Sequence, residues 1–248
     1  MSCSDYSRVK AVLLAAGPGT RLRPLTNSIP KCLLPIGGKP LLQYWFEKLV
    51  AAGVREVLVN THWLHEKVEA FIATWDNSNL NVTIFYEPML LGTAGTIMAN
   101  RAFWEEASEL LILYADNFTT VRLEDILKFH RSHNFPFTLG VFETDEPQRC
   151  GIVVLDPKGV VIEFIEKPKN PRTNLAAGGI YVANPGFLKE VLDWNWNFTE
   201  PYDLGYHVLP RLVGRMMAYR LQGLLLDIGT PESYQYAQEI YNKRRLFL

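Results

Sequence analysis

A regular alternation of strand-like and helix-like apolar runs is the feature that most constrains the fold of this chain. The predicted strands, short runs rich in Val, Leu and Ile, cover residues 9–15, 56–60, 82–86 and 110–115. The predicted helices, with apolar residues three or four positions apart, cover residues 40–52, about 64–72, 94–107 and about 123–130. Thr61 would cap the second helix. Such alternation favours right-handed crossovers, so we predict an α/β fold with a mostly parallel sheet covered on both faces.

After about residue 134 the pattern changes to short apolar runs separated by turn residues. These runs cover residues 137–142, 151–155, 160–165 and 179–183, followed by a predicted strand over 218–226. Their spacing predicts hairpins or a small mixed β region appended to the first layer. Thr230 and Pro231 then predict the start of a last helix, because a hydroxyl cap and a first-turn proline favour a helix N-terminus. At 248 residues, we expect one domain over residues 1–248.

The bulk composition excludes several classes of partner. The formal net charge is −1, so no global field recruits nucleic acid or an anionic membrane, and any affinity for phosphate must be local. No apolar run approaches the roughly 20 residues that cross a bilayer. The widely spaced Cys3, Cys32 and Cys150 give neither a metal-ligand spacing nor a disulfide framework. We therefore expect a cytoplasmic protein with no nucleic-acid or membrane partner.

A glycine-rich turn directly follows the first predicted strand. Gly17 and Gly19 would let backbone N–H groups approach an anion closely. Arg21 adds a planar fork that suits two phosphate oxygens, and Lys31 adds a compact charge. A lone Gly-x-Gly is more often a tight turn beside surface cations. The whole string, with Pro30 before Lys31, favours a site that binds a polyphosphate.

Four polar elements follow predicted strands and are expected to converge. They are the Gly17 turn, Glu87 with the loop 92–95, Asp116, and Asp227. Open parallel sheets bind ligands at the carboxyl ends of their strands, so we expect one cleft there. Asp116 and Asp227 offer the oxygen ligands that Mg²⁺ prefers. The alternative for both aspartates is helix capping or turn formation.

The same segments resemble a known family. The string Gly-Pro-Gly-Thr-Arg-Leu-Arg-Pro-Leu-Thr at 17–26, followed by Pro30-Lys31 and Leu34-Pro35, is similar to the signature of the sugar-1-phosphate nucleotidyltransferases. Further matches follow in the same order at 91–95, Asp116, 166–168 and 227–231, so the resemblance covers nearly the whole chain. The first motif is highly specific, whereas the others are individually modest.

This resemblance implies a Rossmann-like, doubly wound fold and a reaction. A sugar 1-phosphate would attack the α-phosphorus of a nucleoside triphosphate, and pyrophosphate would leave. Residues 1–134 would bind the nucleotide and residues 135–248 the sugar phosphate. Arg21 and Lys31 would be catalytic, and Asp116 and Asp227 would bind Mg²⁺. The implied nucleotide-binding residues are Ala15, Ala16, Gly17, Gly19, Thr20, Glu87, Gly92, Thr93 and Gly95. The implied sugar-phosphate-binding residues are Gly151, Glu166, Lys167 and Gly179.

The resemblance also bears on the base, the sugar and the assembly. Glu87 with the loop 92–95 looks most like guanylyltransferases that act on mannose- or heptose-type sugar phosphates; alternatively Glu87 caps the loop and backbone groups read the base. Ala115 and Ala177 stand where many relatives have Gly and Asn, so the sugar stays open. No C-terminal β-helix is expected, and a homo-oligomer stays open. The alternative functions are thymidylyl or uridylyl transfer and a catalytically silent nucleotide-sugar-binding subunit. A glycosyltransferase fits poorly, because the Asp-x-Asp metal site typical of that class is absent from the end of the predicted strand 110–115.

Overall fold

The computed structural model describes residues 6–75, 79–194 and 201–244, so Cys3 lies outside the described residues. The strands are β1 Lys10–Leu14, β2 Pro35–Ile36, β3 Lys39–Pro40, β4 Glu56–Thr61, β5 Asn81–Tyr86, β6 Leu110–Tyr114, β7 Asn117–Thr119, β8 Phe137–Glu143, β9 Gly151–Leu155, β10 Val161–Glu166, β11 Leu175–Ala183, β12 Met216–Arg220 and β13 Leu225–Asp227. The α-helices are α1 Leu41–Ala51, α2 His65–Thr74, α3 Gly92–Ala99, α4 Arg101–Trp104, α5 Leu123–Arg131, α6 Pro185–Leu192 and α7 Pro231–Arg244. None of these helices is both long and apolar enough to cross a membrane.

The chain forms two compact units that interleave along the sequence. The first unit comprises Met1–Leu90, Leu113–Leu123 and Gly223–Leu248, and the second comprises Leu91–Ile112 and Glu124–Gln222. We call them the first and second units below. The single domain and its division into halves at residue 134 stay predictions.

Parallel strands form the core of the first unit. β1 pairs in parallel with β4, and β4 pairs in parallel with β5. The backbone N–H of Ala115, just after β6, donates to the carbonyl of Leu14 at the end of β1 (3.1 Å). Trp45 and Phe46 of α1 are completely buried. The carboxyl ends of these strands therefore lead into the glycine turn, Glu87 and Asp116.

A short antiparallel ribbon joins two distant segments of the first unit. β13 pairs with β7, with Asp227 opposite Asn117. One residue further, the N–H of Ile228 donates to the carbonyl of Asp116 (3.1 Å). This ribbon places Asp116 and Asp227 next to each other although they lie far apart in the sequence.

The second unit is a mixed β structure. β10 pairs antiparallel with β9, β9 and β8 each pair antiparallel with β11, and β12 pairs in parallel with β8. The register of β11 against β8 shifts between Ala177 and Tyr181. Gly179 lies within this irregularity with a positive φ of 66°, a conformation that glycine adopts without strain.

The α/β class, the parallel strands of the first half and the mixed β region of the second half are confirmed. Thr230 also caps the last helix, because its hydroxyl oxygen accepts a hydrogen bond from the N–H of Ser233 (3.2 Å). Three details of the prediction are wrong. First, residues 218–226 form parts of two strands, since β12 pairs with β8 and β13 with β7. Gly223, with φ of 116°, lies between them.

The other two errors concern helix boundaries. The predicted helix over 94–107 is two helices, α3 and α4, interrupted at Asn100. Thr61 is the last residue of β4 and does not cap α2, which follows Leu64 in a left-handed conformation (φ 51°). Apolar spacing predicts that these helices exist. It does not mark the break at Asn100 or the left-handed Leu64 that precedes α2.

Candidate active site

A buried lysine bridges two carboxylates in the first unit. Lys31 Nζ lies 2.7 Å from Asp116 Oδ2 and 2.9 Å from Asp227 Oδ1. The Lys31 side chain is only 9% exposed, whereas those of Asp116 and Asp227 are 36% and 53% exposed. The structure therefore brings together three predicted site residues, with the cation inside and the carboxylates facing outward.

Local structure explains why these groups meet. The β7–β13 ribbon aligns the two aspartates, as described above. Lys31 begins a 3₁₀ turn that follows Pro30, whose extended backbone ends the preceding segment. A charged amine this deeply buried is stable only where strong hydrogen bonds offset its lost hydration, and the two carboxylates supply them.

The electrostatics of this cluster favour the charged form of Lys31. Burial alone would lower the pKa of Lys31, but the carboxylates of Asp116 and Asp227 outweigh burial and hold that pKa above its ordinary value. Burial and the like charge of Asp116 raise the pKa of Asp227, and Lys31 and Arg21 partly offset them. The cluster therefore keeps its cation and draws further positive charge towards the aspartates.

The donor set fits a magnesium ion that substrate phosphates help to hold. Mg²⁺ typically takes one or two carboxylates and completes its octahedron with phosphate oxygens and water. Lys31 binds one oxygen of each aspartate, so each carboxylate has a second oxygen directed elsewhere. Within the described ranges no group of three or more His, Cys, Asp and Glu side chains could hold a metal by itself. The arrangement suits an ion that arrives with its substrate.

The predicted phosphate-binding turn borders this cluster. Ala15, Ala16, Gly17 and Gly19 lie in the loop after β1, and Thr20 begins the 3₁₀ turn Thr20–Leu22 that follows it. A Cβ at Gly17 would meet no described atom within 4 Å, which leaves room for a ligand oxygen beside the backbone.

Gly19 has a structural requirement as well. Its φ is 60°, and a Cβ there would lie 2.9 Å from Thr26 Cγ2 and 3.2 Å from Lys31 Cβ. The Thr26 hydroxyl donates to the Gly19 carbonyl (2.8 Å). Gly19 thus lets the turn pack directly against the segment that carries Lys31.

Arg21 approaches one of these carboxylates, that of Asp227, from the turn. Its Nη2 lies 3.9 Å from Asp227 Oδ2, and its side chain is more than half exposed. A Cβ at Gly229 would lie 2.8 Å from both Arg21 Nη2 and Asp227 Oδ2, so this glycine keeps the space in which they approach. Gly229 was missed as a site residue, although it lies within the matched motif 227–231.

Glu87 belongs to a buried hydrogen-bonded chain in the first unit. Asn60 Nδ2 donates to Glu87 Oε1 (2.9 Å), and the N–H of Ala15 donates to Asn60 Oδ1 (2.7 Å). Glu87 is only 1% exposed. Asn60 therefore holds both the start of the glycine turn and the Glu87 carboxylate. Asn60 was not predicted as a site residue, although a polar residue within the apolar strand β4 is a signal that the sequence contains.

A second cluster of predicted residues forms in the second unit. Glu166 is the cross-strand partner of Gly151 in the β9–β10 pair. Its side chain is 17% exposed and lies 3.8 Å from the ammonium group of Lys167. Lys167 itself has a positive φ of 48°, which costs a non-glycine residue about 1 kcal/mol or more. Burial and the nearby Asp203 raise the pKa of Glu166, and Lys167 opposes them.

The predicted loop 92–95, which carries Gly92, Thr93 and Gly95, is the first turn of α3, and it is tied to residues 202–204 within the same unit. The N–H groups of Ala94 and Gly95 both donate to the carbonyl of Tyr202 (2.9 and 3.1 Å). A Cβ at Gly92 would lie 2.3 Å from that oxygen. Gly92, which has a φ of 79°, is therefore required for this close approach.

Comparison with known proteins establishes the family. The sequence model of the family described as "Nucleotidyl transferase" matches residues 10–244, and the chain belongs to this family. The chain is 32% identical over 232 residues to the mannose-1-phosphate guanyltransferase of Schizosaccharomyces pombe. It is 31% identical over 231 residues to the mannose-1-phosphate guanylyltransferase catalytic subunit beta of Danio rerio. Each match covers 91% of this chain but only 62% of the relative's length.

A solved structure shares the fold. A UDP-glucose pyrophosphorylase complexed with UDP-glucose superposes with a TM-score of 0.82 at 22% identity. That match covers 95% of this chain and 99% of the other. The expected Rossmann-like nucleotidyltransferase fold is therefore confirmed.

Proposed function

We propose that this protein transfers a guanylyl group from GTP to a mannose- or heptose-type sugar 1-phosphate, giving a GDP-sugar and pyrophosphate. The observation that carries the proposal is the bridge from Lys31 to Asp116 and Asp227 with Arg21 beside it. Family membership and the names of the relatives support the reaction class, although the chain spans about 62% of those relatives' length.

The main obstacle to this reaction is electrostatic. The sugar phosphate and the triphosphate are both anions, so cations must offset their repulsion before oxygen can attack phosphorus. Enzymes that transfer phosphoryl groups act mostly by positioning and charge stabilisation, and the same logic applies to nucleotidyl transfer. Mg²⁺ held by Asp116 and Asp227 would supply Lewis acidity at the phosphates.

Two cationic side chains, Lys31 and Arg21, add to the positive charge of the Mg²⁺ ion. Lys31, held at a fixed place by the two aspartates, stabilises charge near the α-phosphate. Arg21 is more exposed and suits the β- and γ-phosphates and the departing pyrophosphate, because its fork matches two phosphate oxygens. The backbone of the turn around Gly17 adds N–H donors.

Base and sugar recognition are assigned to the remaining predicted residues. Glu87, oriented by Asn60, accepts from the N1–H and amino group of guanine. In the second unit Glu166 accepts from sugar hydroxyls and Lys167 binds the sugar phosphate. The protein is proposed to act in the cytoplasm.

A pyrophosphate-release screen tests this function. Each of GTP, ATP, UTP and dTTP is combined with mannose 1-phosphate, a heptose 1-phosphate and glucose 1-phosphate, with and without Mg²⁺. We expect release only when all three components are present, and most with GTP and mannose or heptose phosphate. Release with UTP or dTTP alone would overturn the base assignment and keep the reaction class. Tight binding of a nucleotide sugar without any release would identify a silent binding subunit.

A further inference from the structure

The Glu166 carboxylate lies against two glycines of the second unit. A Cβ at Gly205 would lie 2.5 Å from Glu166 Oε2, and a Cβ at Gly151 would lie 2.7 Å from the same oxygen. Neither distance is compatible with a carboxylate in this position. Glu166 therefore occupies a slot that exists only because both neighbours lack side chains.

Asp203 fixes one wall of this slot. Its Oδ1 accepts hydrogen bonds from the N–H groups of Gly205 (2.8 Å) and Tyr206 (3.2 Å). It thereby caps the π-helical turn Leu204–Val208, which places Gly205 against Glu166. These two bonds hold the backbone at Gly205 and Tyr206 to Asp203.

Asp203 is itself anchored from the first turn of α3. The Thr93 hydroxyl donates to Asp203 Oδ2 (3.1 Å) and accepts from the N–H of Leu204 (2.7 Å). Thr93 thus holds the Asp203 oxygen that does not cap the turn. Its hydroxyl group is engaged with protein groups in this structure.

We propose that Asp203 and Gly205 are positioning residues for Glu166. With Gly151 they fix its carboxylate where it accepts hydrogen bonds from the hydroxyls of the sugar phosphate. The inference rests on the proposed function for the identity of the ligand. It assigns roles to Asp203 and Gly205 in addition to the motif residues 166–168. It also gives Thr93 a supporting role in sugar binding.

The inference predicts a specific loss in Gly205→Ala. The added methyl group displaces the Glu166 carboxylate, so the sugar loses a hydrogen bond to a charged acceptor, which is worth about 10-fold or more in affinity. GDP, which carries ribose but no mannose to reach Glu166, keeps its affinity. The ratio of the dissociation constants of GDP and GDP-mannose, measured by calorimetry, isolates this effect without requiring turnover. Gly186→Ala, an exposed glycine of α6, is the matched control and leaves the ratio unchanged.

Two further tests separate positioning from simple damage. In Gly205→Ala/Glu166→Asp the shorter carboxylate no longer meets the methyl group, so the double variant binds GDP-mannose no more weakly than Glu166→Asp alone. Asp203→Ala removes the acceptor of the Gly205 and Tyr206 N–H groups, so the dissociation constant of GDP divided by that of GDP-mannose falls about 10-fold. Asp203→Asn retains an acceptor, so at pH 8 this ratio stays close to its wild-type value. If Gly205→Ala does not fold, the comparison of Asp203→Ala with Asp203→Asn still tests the positioning of Glu166.

The outcomes distinguish the inference from the proposed function. If the wild-type protein releases pyrophosphate but Gly205→Ala and Asp203→Ala keep the wild-type ratio, the inference is wrong and the function stands. If the ratio changes as expected but no substrate pair yields pyrophosphate, the function is wrong and the positioning role stands. Equal affinity of the wild-type protein for GDP and GDP-mannose would overturn the inference.

Discussion

The two clusters of charged residues bury opposite charges. In the first unit the lysine is inside and the carboxylates are outside, with Lys31 9% exposed. In the second unit the carboxylate is inside and the lysine is outside, with Glu166 17% and Lys167 52% exposed. Two close carboxylate contacts hold Lys31, whereas Lys167 lies 3.8 Å from Glu166. A buried charge is costly unless it is paired. The protein offsets more of this cost for Lys31 than for Glu166.

This difference indicates different tasks. The first cluster is internally neutralised around its cation and presents carboxylate oxygens outward, as the proposed site for metal and phosphate requires. The second holds a carboxylate whose pKa is raised by burial and by Asp203 despite Lys167. Such a carboxylate gains most from hydrogen-bond donors that a ligand brings, as sugar hydroxyls do.

The largest effect is expected when the buried cation is removed. Lys31→Met leaves Asp116 and Asp227 facing each other and removes positive charge near the proposed reacting phosphate, so turnover falls about 10³-fold. Pyrophosphate release measures the loss, and circular dichroism checks folding. Lys39→Met, which removes a lysine bound to Glu47 at 2.7 Å, is the matched control and keeps near-normal turnover. Equal losses in both variants would show that Lys31 has no special role.

Removing one outward carboxylate should have the next largest effect. Asp116→Asn keeps an oxygen that can accept from Lys31 but weakens the proposed metal site, so turnover falls about 10²-fold. The Mg²⁺ concentration for half-maximal rate rises at the same time. A variant with wild-type rate and wild-type Mg²⁺ dependence would exclude Asp116 as a metal ligand. Chelation by EDTA abolishes wild-type turnover, and added Mg²⁺ restores it.

The sequence predicted the first cluster more completely than the second. Arg21, Lys31, Asp116 and Asp227 lie in motifs, and the rule that ligands bind at strand ends was enough to expect their convergence. The β7–β13 ribbon that joins the aspartates was not predicted, because strands of three residues give no periodicity to detect.

The second cluster shows what local patterns cannot supply. Glu166 and Lys167 were identified, but Asp203 and Gly205 were not, because no strand or helix period marks residues 201–208. The need for glycine at 205 arises from a side chain nearly forty positions away, and the cap by Asp203 depends on a π-helical turn that is rare. Only three-dimensional placement reveals such requirements.

A smaller effect is expected at the exposed lysine of the second cluster. Lys167→Met removes a charge that is more than half exposed, so folding stability changes little. The KM for the sugar 1-phosphate rises about 10-fold, since one charged hydrogen bond to its phosphate is lost, while kcat changes less. Initial rates at saturating GTP measure both constants. A fall in kcat with an unchanged KM would move Lys167 from ligand binding to the chemical step.

The smallest effect is a displacement of a pH profile. Only the ionised Glu166 carboxylate accepts fully from sugar hydroxyls, so affinity for the sugar falls as pH drops through the raised pKa of Glu166. Asp203→Asn removes a like charge that raises this pKa, so the midpoint moves to lower pH while affinity at pH 8 stays near that of the wild type. The dissociation constant of GDP-mannose, whose phosphates have no further ionisation between pH 5 and pH 8, gives both midpoints when it is measured across that range. An unchanged midpoint would mean that Asp203 acts on Glu166 through geometry alone, and the contrast between the two clusters would then rest on burial rather than on the neighbouring charge.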